Sequence, residues 1–413
     1  MFLKKNLSLL NEGYKNNHNL FDKGEGSKIY SRKKKYLDLS FAAGSLILGH
    51  NSKIYKLALR NLIRKKISTF AAPNTQAYEY SNLLKKILPD FSKFIFSNSG
   101  TEAVIKSLRI SKAINKKNII ISVTGSWHGS VDRLLFSPGK NTKILPLSDG
   151  LSDYDKKNIK FIPYNDIEKS SKILSKYKSK ISCIIIEPVQ GCLPQTEIKK
   201  YLNFLRKFTK RNNCLLIFDE MVTGLRVNCS SVQSYFNIKP DITTFGKIFG
   251  GGLPIGIIAV SKKIEKTILK KKLKIFFGGT FSGNSLTTYI GKLTLEFILK
   301  NKSKIFTSLN QKASLLQNSM NQFIKEKHIN ARVYRFHSLI RLVFTKGKVK
   351  NRIQRDFLEL KNFKNIKKFR SFLFKKGIYY PTSGIIFIST QTSNADIKKI
   401  IKTFKAGLIK HIH

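Results

Sequence analysis

Short apolar runs alternate with amphipathic stretches through most of the chain after residue 90. The runs are rich in Ile, Val and Phe, and polar residues or glycines bound them. This pattern is typical of strands that are buried on both faces of a mostly parallel sheet. The predicted strands are residues 93–96, 118–123, 183–186, 214–218, 241–245 and 255–260.

The stretches between these runs have helical periodicity. Apolar residues recur at the spacing of one helical face, as in residues 167–177 and 201–208. The alternation of strands and helices predicts an α/β architecture with a central sheet.

The C-terminal part has a different pattern. Helical periodicity runs from residue 291 to about 326, and strands are predicted at 338–345 and 385–389. Helices are predicted to end near Gly377 and to span 394–404. We therefore predict a large domain at residues 56–300 and a smaller α+β domain at 301–413. Residues 1–55 are predicted to pack with the small domain or across a partner chain.

Composition agrees with a folded protein of this size. Of the 413 residues, 41% are hydrophobic and 11% are aromatic, enough for a buried core. No apolar stretch is long enough to span a membrane, and residues 1–16 lack the apolar block of a signal peptide. We expect a cytoplasmic protein.

The four cysteines form no C-x-x-C pair and no His cluster accompanies them, so no metal site is expected.

The net charge of +53, from 77 Lys and Arg against 24 Asp and Glu, has two interpretations. One is a nucleic-acid or acidic-membrane partner. The other is a compositional bias, which the even spread of the basic residues favours. We therefore expect no specific nucleic-acid partner and no membrane partner.

Four short segments that follow predicted strands carry candidate chemistry. Ser99, Gly100 and Thr101 precede a predicted helix, where hydroxyls and free N–H groups can bind a phosphate; an ordinary N-cap is the alternative. Asp219 ends an apolar strand, where an acid is costly unless it meets a cation such as a protonated pyridine nitrogen. A metal-binding or N-capping Asp is the alternative there.

Lys247 follows another predicted strand and lies between apolar residues and glycines. Desolvation in that setting lowers the pKa of an amine and leaves it nucleophilic, whereas a solvated loop lysine is the alternative. Trp127, the single tryptophan, could stack on a flat cofactor or be an ordinary core or surface residue. A phosphate cradle, a stacking ring, an acid and a buried lysine are the parts that pyridoxal 5'-phosphate (PLP) needs.

Seven segments then carry a family resemblance. They are LILGH (46–50), FAAP (70–73), NSGTEA (98–103), EPVQG (187–191), DEMVTGLR (219–226), TTFGKIFGGGLPIG (243–256) and GTFSGN (279–284). The chain resembles class III (subgroup II) PLP-dependent aminotransferases, and LILGH and FAAP resemble most the glutamate-1-semialdehyde aminomutase branch. The resemblance implies the PLP-dependent transferase fold of the aspartate-aminotransferase type.

The resemblance also implies roles for individual residues. Lys247 is the Schiff-base lysine, and Asp219 pairs with the pyridine nitrogen. The phosphate lies on Ser99, Gly100 and Thr101. The cofactor ring lies between Trp127 and Met221. His128, next to Trp127, also contributes to the cofactor site. Thr280 reaches the phosphate from the other subunit, which implies a homodimer.

The implied activity is amino transfer between a small-molecule amino donor and a carbonyl acceptor. Glutamate-1-semialdehyde 2,1-aminomutase activity is the alternative, because both reactions use the same cofactor residues. A non-catalytic anion-binding protein on the same fold is a distant alternative, which the charge favours and the intact Lys247 and Asp219 oppose.

The departures from the aminomutase pattern lie on the substrate side. Residues 41–45 lack the Trp of that branch, residues 11–22 hold no matching Arg, and residues 382–385 replace a Glu-Ala pair. Cys192 stands where that branch has Asn. We therefore expect a wider pocket for a bulkier or less acidic acceptor, unless Lys140 supplies the missing cation.

Overall fold

The N-terminal part of the structure, a computed structural model, consists of short strands, a single helical turn and two longer helices. The structure describes residues 20–32, 34–139, 143–227 and 230–412. The first elements are β1 (Lys23–Glu25), β2 (Lys28–Ser31), β3 (Lys34–Asp38), the single turn α1 (Phe41–Gly44), α2 (Lys53–Arg64) and α3 (Thr75–Ile87).

The middle of the chain alternates strands and helices. In order these are β4 (Phe91–Ser97), α4 (Gly100–Asn115), β5 (Ile119–Val123), β6 (Phe136–Pro138), β7 (Ile144–Pro146), α5 (Asp153–Asn158), β8 (Ile159–Ile162), α6 (Ile167–Tyr177), β9 (Ile181–Ile186), α7 (Lys199–Arg211), β10 (Leu215–Asp219), α8 (Val232–Phe236), β11 (Ile242–Gly246), β12 (Gly256–Ser261) and α9 (Lys262–Lys270).

Seven of these strands form the central sheet, in the order β4-β12-β11-β10-β9-β5-β8. The neighbours β11, β10, β9, β5 and β8 pair in parallel, whereas β12 is antiparallel to both β11 and β4. The predicted α/β fold with a mostly parallel sheet is therefore confirmed. All six predicted runs are strands, and β8 was missed because its four residues include Lys160 and only its two ends are buried.

The sheet is buried on both faces, as its apolar runs predicted. Along β9, Cys183 and Ile185 belong to one core cluster, and Ile184 and Ile186 belong to another on the opposite face. Each such fully buried aliphatic side chain contributes about 1.5–3 kcal/mol relative to an exposed one. Packing on both faces therefore fixes the position of the sheet and of its strand ends.

The C-terminal part contains long helices and a small sheet. Its elements are α10 (Ser285–Lys300), α11 (Lys302–Glu326), β13 (Arg332–Phe336), β14 (Leu339–Val343), α12 (Arg352–Lys361), α13 (Phe363–Lys375), β15 (Ile378–Tyr379), β16 (Ile385–Phe387) and α14 (Asn394–His411). Strands β13, β14 and β16 pair in antiparallel fashion. The sequence pattern predicted β14 and β16 and missed β13, in which two arginines interrupt the apolar run.

The N-terminal strands pair with the C-terminal part. Strand β15 pairs in parallel with β3 and completes the four-stranded sheet β1-β2-β3-β15. The domain boundaries at residues 55 and 300 stay a prediction.

In the described part of the chain, no helix combines the length and the apolar character needed to cross a membrane.

Candidate active site

The carboxyl ends of five strands of the central sheet meet at one cavity of about 500 Å³. Open α/β sheets bind ligands at this edge, because the loops that follow parallel strands converge there. Each strand contributes a residue to the cavity wall, namely Gly100 after β4, His128 after β5, Glu187 after β9, Asp219 at the end of β10 and Lys247 after β11.

Asp219 is held by two hydrogen bonds at the end of β10. The N–H of Met221 donates to Oδ1 at 3.1 Å, and Nδ1 of His128 lies 2.7 Å from Oδ2. Both side chains are buried, and Nε2 of His128 has no partner among the residues described. A carboxylate fixed in this way keeps its position when a ligand enters the cavity.

Lys247 projects into the cavity from the turn after β11. Its φ of 54° lies in the left-handed region, which is costly for a non-glycine residue and is found at sites where the surrounding structure enforces it. The amine donates to the carbonyl oxygen of Ala43 at 2.9 Å. Burial, and after it the positive charge of Arg226, lower the pKa of Lys247 to about 8. A neutral, nucleophilic amine is therefore available near neutral pH.

The start of α4 forms the part of the wall that suits an anion. Gly100 and Thr101 line the cavity, and the first turn of a helix leaves its N–H groups without intrahelical partners. Ser99 acts as the N-cap, since its Oγ accepts the N–H of Glu102 at 3.1 Å. The structure thus brings Gly100 and Thr101 into the cavity, while the side chain of Ser99 caps the helix.

Trp127 and Met221 both line the cavity, but they differ in exposure. The Trp127 side chain is 57% exposed at the mouth, and its backbone N–H donates to Oε1 of Glu187 at 2.7 Å. Met221 is half-buried, and its sulfur would lie 2.8 Å from a Cβ at Gly100.

Thr280 lies outside this cavity in the single chain. It is exposed in the loop between α9 and α10, within the GTFSGN segment. The other sequence-predicted residues lie together at the carboxyl edge of the sheet.

Sequence reasoning missed several residues of the cavity wall. Glu187 stands in the EPVQG segment that carried the resemblance, and burial raises the pKa of its carboxyl. Arg352 and Arg355 come from α12, where no motif marks them. They place cations in the cavity wall that the sequence pattern did not single out. Lys140, Cys229 and residues 1–19 lie outside the described part.

The residues of the cavity fit PLP. A helix N-terminus suits its phosphate, an acid lies at the end of a buried strand, and a desolvated lysine faces the same space. The unpartnered Nε2 of buried His128 is a further polar group that a ligand or water could satisfy.

Comparison with known proteins agrees with this chemistry. A sequence model of the family described as aminotransferase class-III matches residues 9–404. The chain belongs to the class-III aminotransferase family. It is therefore an enzyme of a family that uses PLP.

The relatives of this class-III chain include two glutamate-1-semialdehyde 2,1-aminomutases. That of Methanosphaera stadtmanae is 33% identical over 394 residues, covering 94% of this chain and 90% of the relative. That of Thermodesulfovibrio yellowstonii is 33% identical over 390 residues, covering 92% and 89%.

Solved structures of low sequence identity share the fold. An omega-transaminase from Sphaerobacter thermophilus has a TM-score of 0.87 at 22% identity, covering 95% of this chain and 91% of that one. A glutamate-1-semialdehyde-aminomutase from Pseudomonas aeruginosa PAO1 has a TM-score of 0.85 at 17% identity, covering 95% and 88%. The predicted PLP-dependent transferase fold is confirmed.

Proposed function

We propose that this class-III enzyme transfers an amino group between an amino donor and a carbonyl acceptor, with PLP carried on Lys247. The observation that carries the proposal is the convergence of Lys247, Asp219 and the first turn of α4 on one cavity. Their sequence positions are far apart, and the strand ends of one sheet bring them together.

The residues of the wall have distinct tasks in this proposal. Gly100 and Thr101 hold the phosphate, Trp127 and Met221 contact the two faces of the ring, and Asp219 faces the ring nitrogen. When bound, PLP supplies a carbonyl carbon for the amine of the substrate and a ring that withdraws electrons from it.

Lys247 moves the proton of the reaction. With its pKa lowered to about 8, the amine is partly neutral at neutral pH and can accept a proton at Nζ. The same atom can return that proton to a neighbouring carbon. Asp219, held by His128 and by the N–H of Met221, lies at a fixed place in the wall of the same cavity.

A second copy of the chain completes the site in this proposal, through Thr280. The loop that carries Thr280 is flanked by large apolar side chains that are exposed in the single chain, Phe276 at 77% and Phe281 at 58%. Residues 63–74 also expose two apolar side chains, Ile63 and Phe70. This segment contacts the loop of Thr280, since Nδ2 of Asn74 donates a 2.9 Å hydrogen bond to the carbonyl oxygen of Gly283. Exposed apolar side chains in one region are typical of a protein–protein interface.

The second candidate is glutamate-1-semialdehyde 2,1-aminomutase activity. The names of the two relatives that cover about nine-tenths of the chain favour it. An aminomutase returns the amino group to the neighbouring carbon of the same molecule, whereas a transaminase releases a keto product. The cofactor residues are shared, so the substrate decides between the two.

The experiment is a screen of amino donors with the purified holoenzyme. Loss of the cofactor absorption band identifies a donor, and recovery of the band with a keto acid or aldehyde identifies an acceptor. Glutamate-1-semialdehyde is tested in parallel by the formation of 5-aminolevulinate. Turnover of it at about one per second or faster assigns the aminomutase. A protein that binds no PLP, or a band that no amine changes, would refute amino transfer.

A further inference from the structure

Helix α12 brings two arginines of the C-terminal part into the wall of the cavity. Arg352 and Arg355 lie three residues apart, on one face of the helix. Nη1 of Arg352 donates to the carbonyl oxygen of Gly125 at 2.9 Å, in the loop after β5. Nη1 of Arg355 donates to the carbonyl oxygen of Cys192, in the loop after β9. Both guanidinium groups therefore lie beside the loops that carry Trp127 and Glu187.

The arginines of this region outnumber their acidic partners. Arg341, Arg352 and Arg355 share two carboxylates, those of Asp356 and Glu359. Arg355 pairs with both acids, and Arg341 pairs with Glu359 at 3.0 Å. One positive charge is left without a carboxylate of its own.

Arg352 is the arginine that is free to bind a ligand. Its one ion pair joins Nε to Oδ2 of Asp356 at 3.2 Å, and the Asp356 side chain is 45% exposed. The Arg352 side chain is 30% exposed, whereas the side chains of Arg355 and Arg341 are 6% and 5% exposed. Arg355 and Arg341 are buried and committed to their neighbours.

Glu187 does not neutralise Arg352 by direct contact. Its two oxygens accept the backbone N–H groups of Trp127, at 2.7 Å, and Gly191, at 3.1 Å. Glu187 lines the same cavity as Arg352 and Lys247, and its charge partly opposes the lowering of the Lys247 pKa by burial and by Arg226. A substrate that reaches Lys247 therefore occupies a cavity whose wall also contains Arg352.

We propose that Arg352 anchors a carboxylate of the substrate, so that the enzyme acts on carboxylic acids. The inference rests on the proposed function, because the substrate must occupy the cavity that Lys247 lines. An arginine with a free edge binds a carboxylate through charge-assisted hydrogen bonds, and no neutral group replaces that interaction. Arg352 thus determines specificity at the substrate end of the site.

The test measures the binding of unreactive acids to the holoenzyme. The shift of the cofactor absorption band on titration reports the binding. The probes are succinate, glutarate and adipate, each compared with its uncharged diamide. The wild type is expected to bind at least one acid about tenfold or more tightly than its diamide. Arg352→Gln is expected to weaken acid binding roughly 10- to 100-fold and to leave diamide binding unchanged, because it removes hydrogen bonds to a charged group. Arg352→Lys, which keeps the charge, is expected to bind acids with an affinity between those of the wild type and of Arg352→Gln.

The matched control is Arg332→Gln, which removes an exposed arginine on β13 and the same unit of charge. It is expected to bind acids as the wild type does. Equal affinity of the wild type for acids and diamides would overturn the inference without any variant. So would an Arg352→Gln variant that keeps the acid preference, or one that loses acids and diamides equally. A holoenzyme that amines bleach but that shows no acid preference refutes this inference alone, whereas a protein without PLP refutes the proposed function.

Discussion

Nδ1 of His128 lies 2.7 Å from Oδ2 of Asp219, and both side chains are buried at the end of β10. Since the N–H of Met221 occupies Oδ1, the carboxylate has a donor on each oxygen. His128 therefore positions the acid that we assign to the ring nitrogen of the cofactor. This contact joins the loop after β5 to the end of β10, and the two residues are 91 positions apart in sequence.

The first prediction concerns the charge of Asp219. Asp219→Asn keeps the shape of the side chain but removes the negative charge, so the ring withdraws electrons less effectively. We expect the turnover of any amino donor to fall at least about 100-fold. PLP should stay bound, because the phosphate site that we propose at Gly100 and Thr101 is unchanged. Near-normal turnover in a variant that contains a full complement of PLP would contradict this role.

The second prediction is a pH dependence. The neutral amine of Lys247 captures PLP, so the rate of reconstitution of the apoenzyme should rise with pH through about 8 and then level off. An ordinary lysine, with a pKa near 10.4, would still be mostly protonated there. Stopped-flow absorbance over a pH series measures the midpoint.

Arg226 contributes to that midpoint by its charge. Arg226→Leu should raise the pKa of Lys247 and move the midpoint to higher pH, whereas Arg226→Lys keeps a positive charge and should move it less. Identical midpoints in the wild type and Arg226→Leu would show that burial alone lowers the pKa.

The third prediction concerns Gly129, which packs against Thr101 of the proposed phosphate site. A Cβ at Gly129 would clash with Oγ1 of Thr101, and the φ of Gly129 is +77°. Gly129→Ala should therefore displace Thr101 and weaken PLP binding, in addition to a backbone cost of about 1–2 kcal/mol.

Gly150 provides the matched control for Gly129. Its φ is +80°, but a Cβ there meets no atom within 4 Å. Gly150→Ala should lower the free energy of unfolding by the backbone cost alone and leave the Kd for PLP unchanged. If both variants bind PLP equally well, Thr101 has no part in the phosphate site.

The fourth prediction concerns Thr280 and the dimer. Thr280→Ala should raise the Kd for PLP about tenfold, the effect of one lost hydrogen bond to a charged group. Thr307→Ala, which alters an exposed threonine on α11, should have no effect. Light scattering should give the mass of two chains. An active enzyme with the mass of one chain would refute the shared site.

The strands and the cofactor side of the site were predictable because their signals are local. An apolar run such as that of β9 can form only a strand or helix buried on all sides, and flanking polar residues set its length. Asp219 and Lys247 each follow such a run directly. Their convergence then follows from the geometry of a parallel sheet.

The substrate side was not predictable, because its residues come from separate parts of the chain without a local signal. Among 77 Lys and Arg, the sequence gives no reason to single out Arg352. It becomes part of the site only because α12 packs against the loops of Gly125 and Cys192. For Ser99 the sequence left a phosphate ligand and a helix cap as alternatives, and the start of α4 shows its side chain as the cap.

The central claim is that Lys247 carries the cofactor, and peptide mass spectrometry after borohydride reduction of the holoenzyme tests it most directly. The account predicts one pyridoxyl group per chain, on the peptide that contains Lys247, and none in Lys247→Ala. Among so many lysines, a random attachment would spread the label over exposed positions. A single label on any other lysine, or equal labelling of the Lys247→Ala variant, would contradict the account.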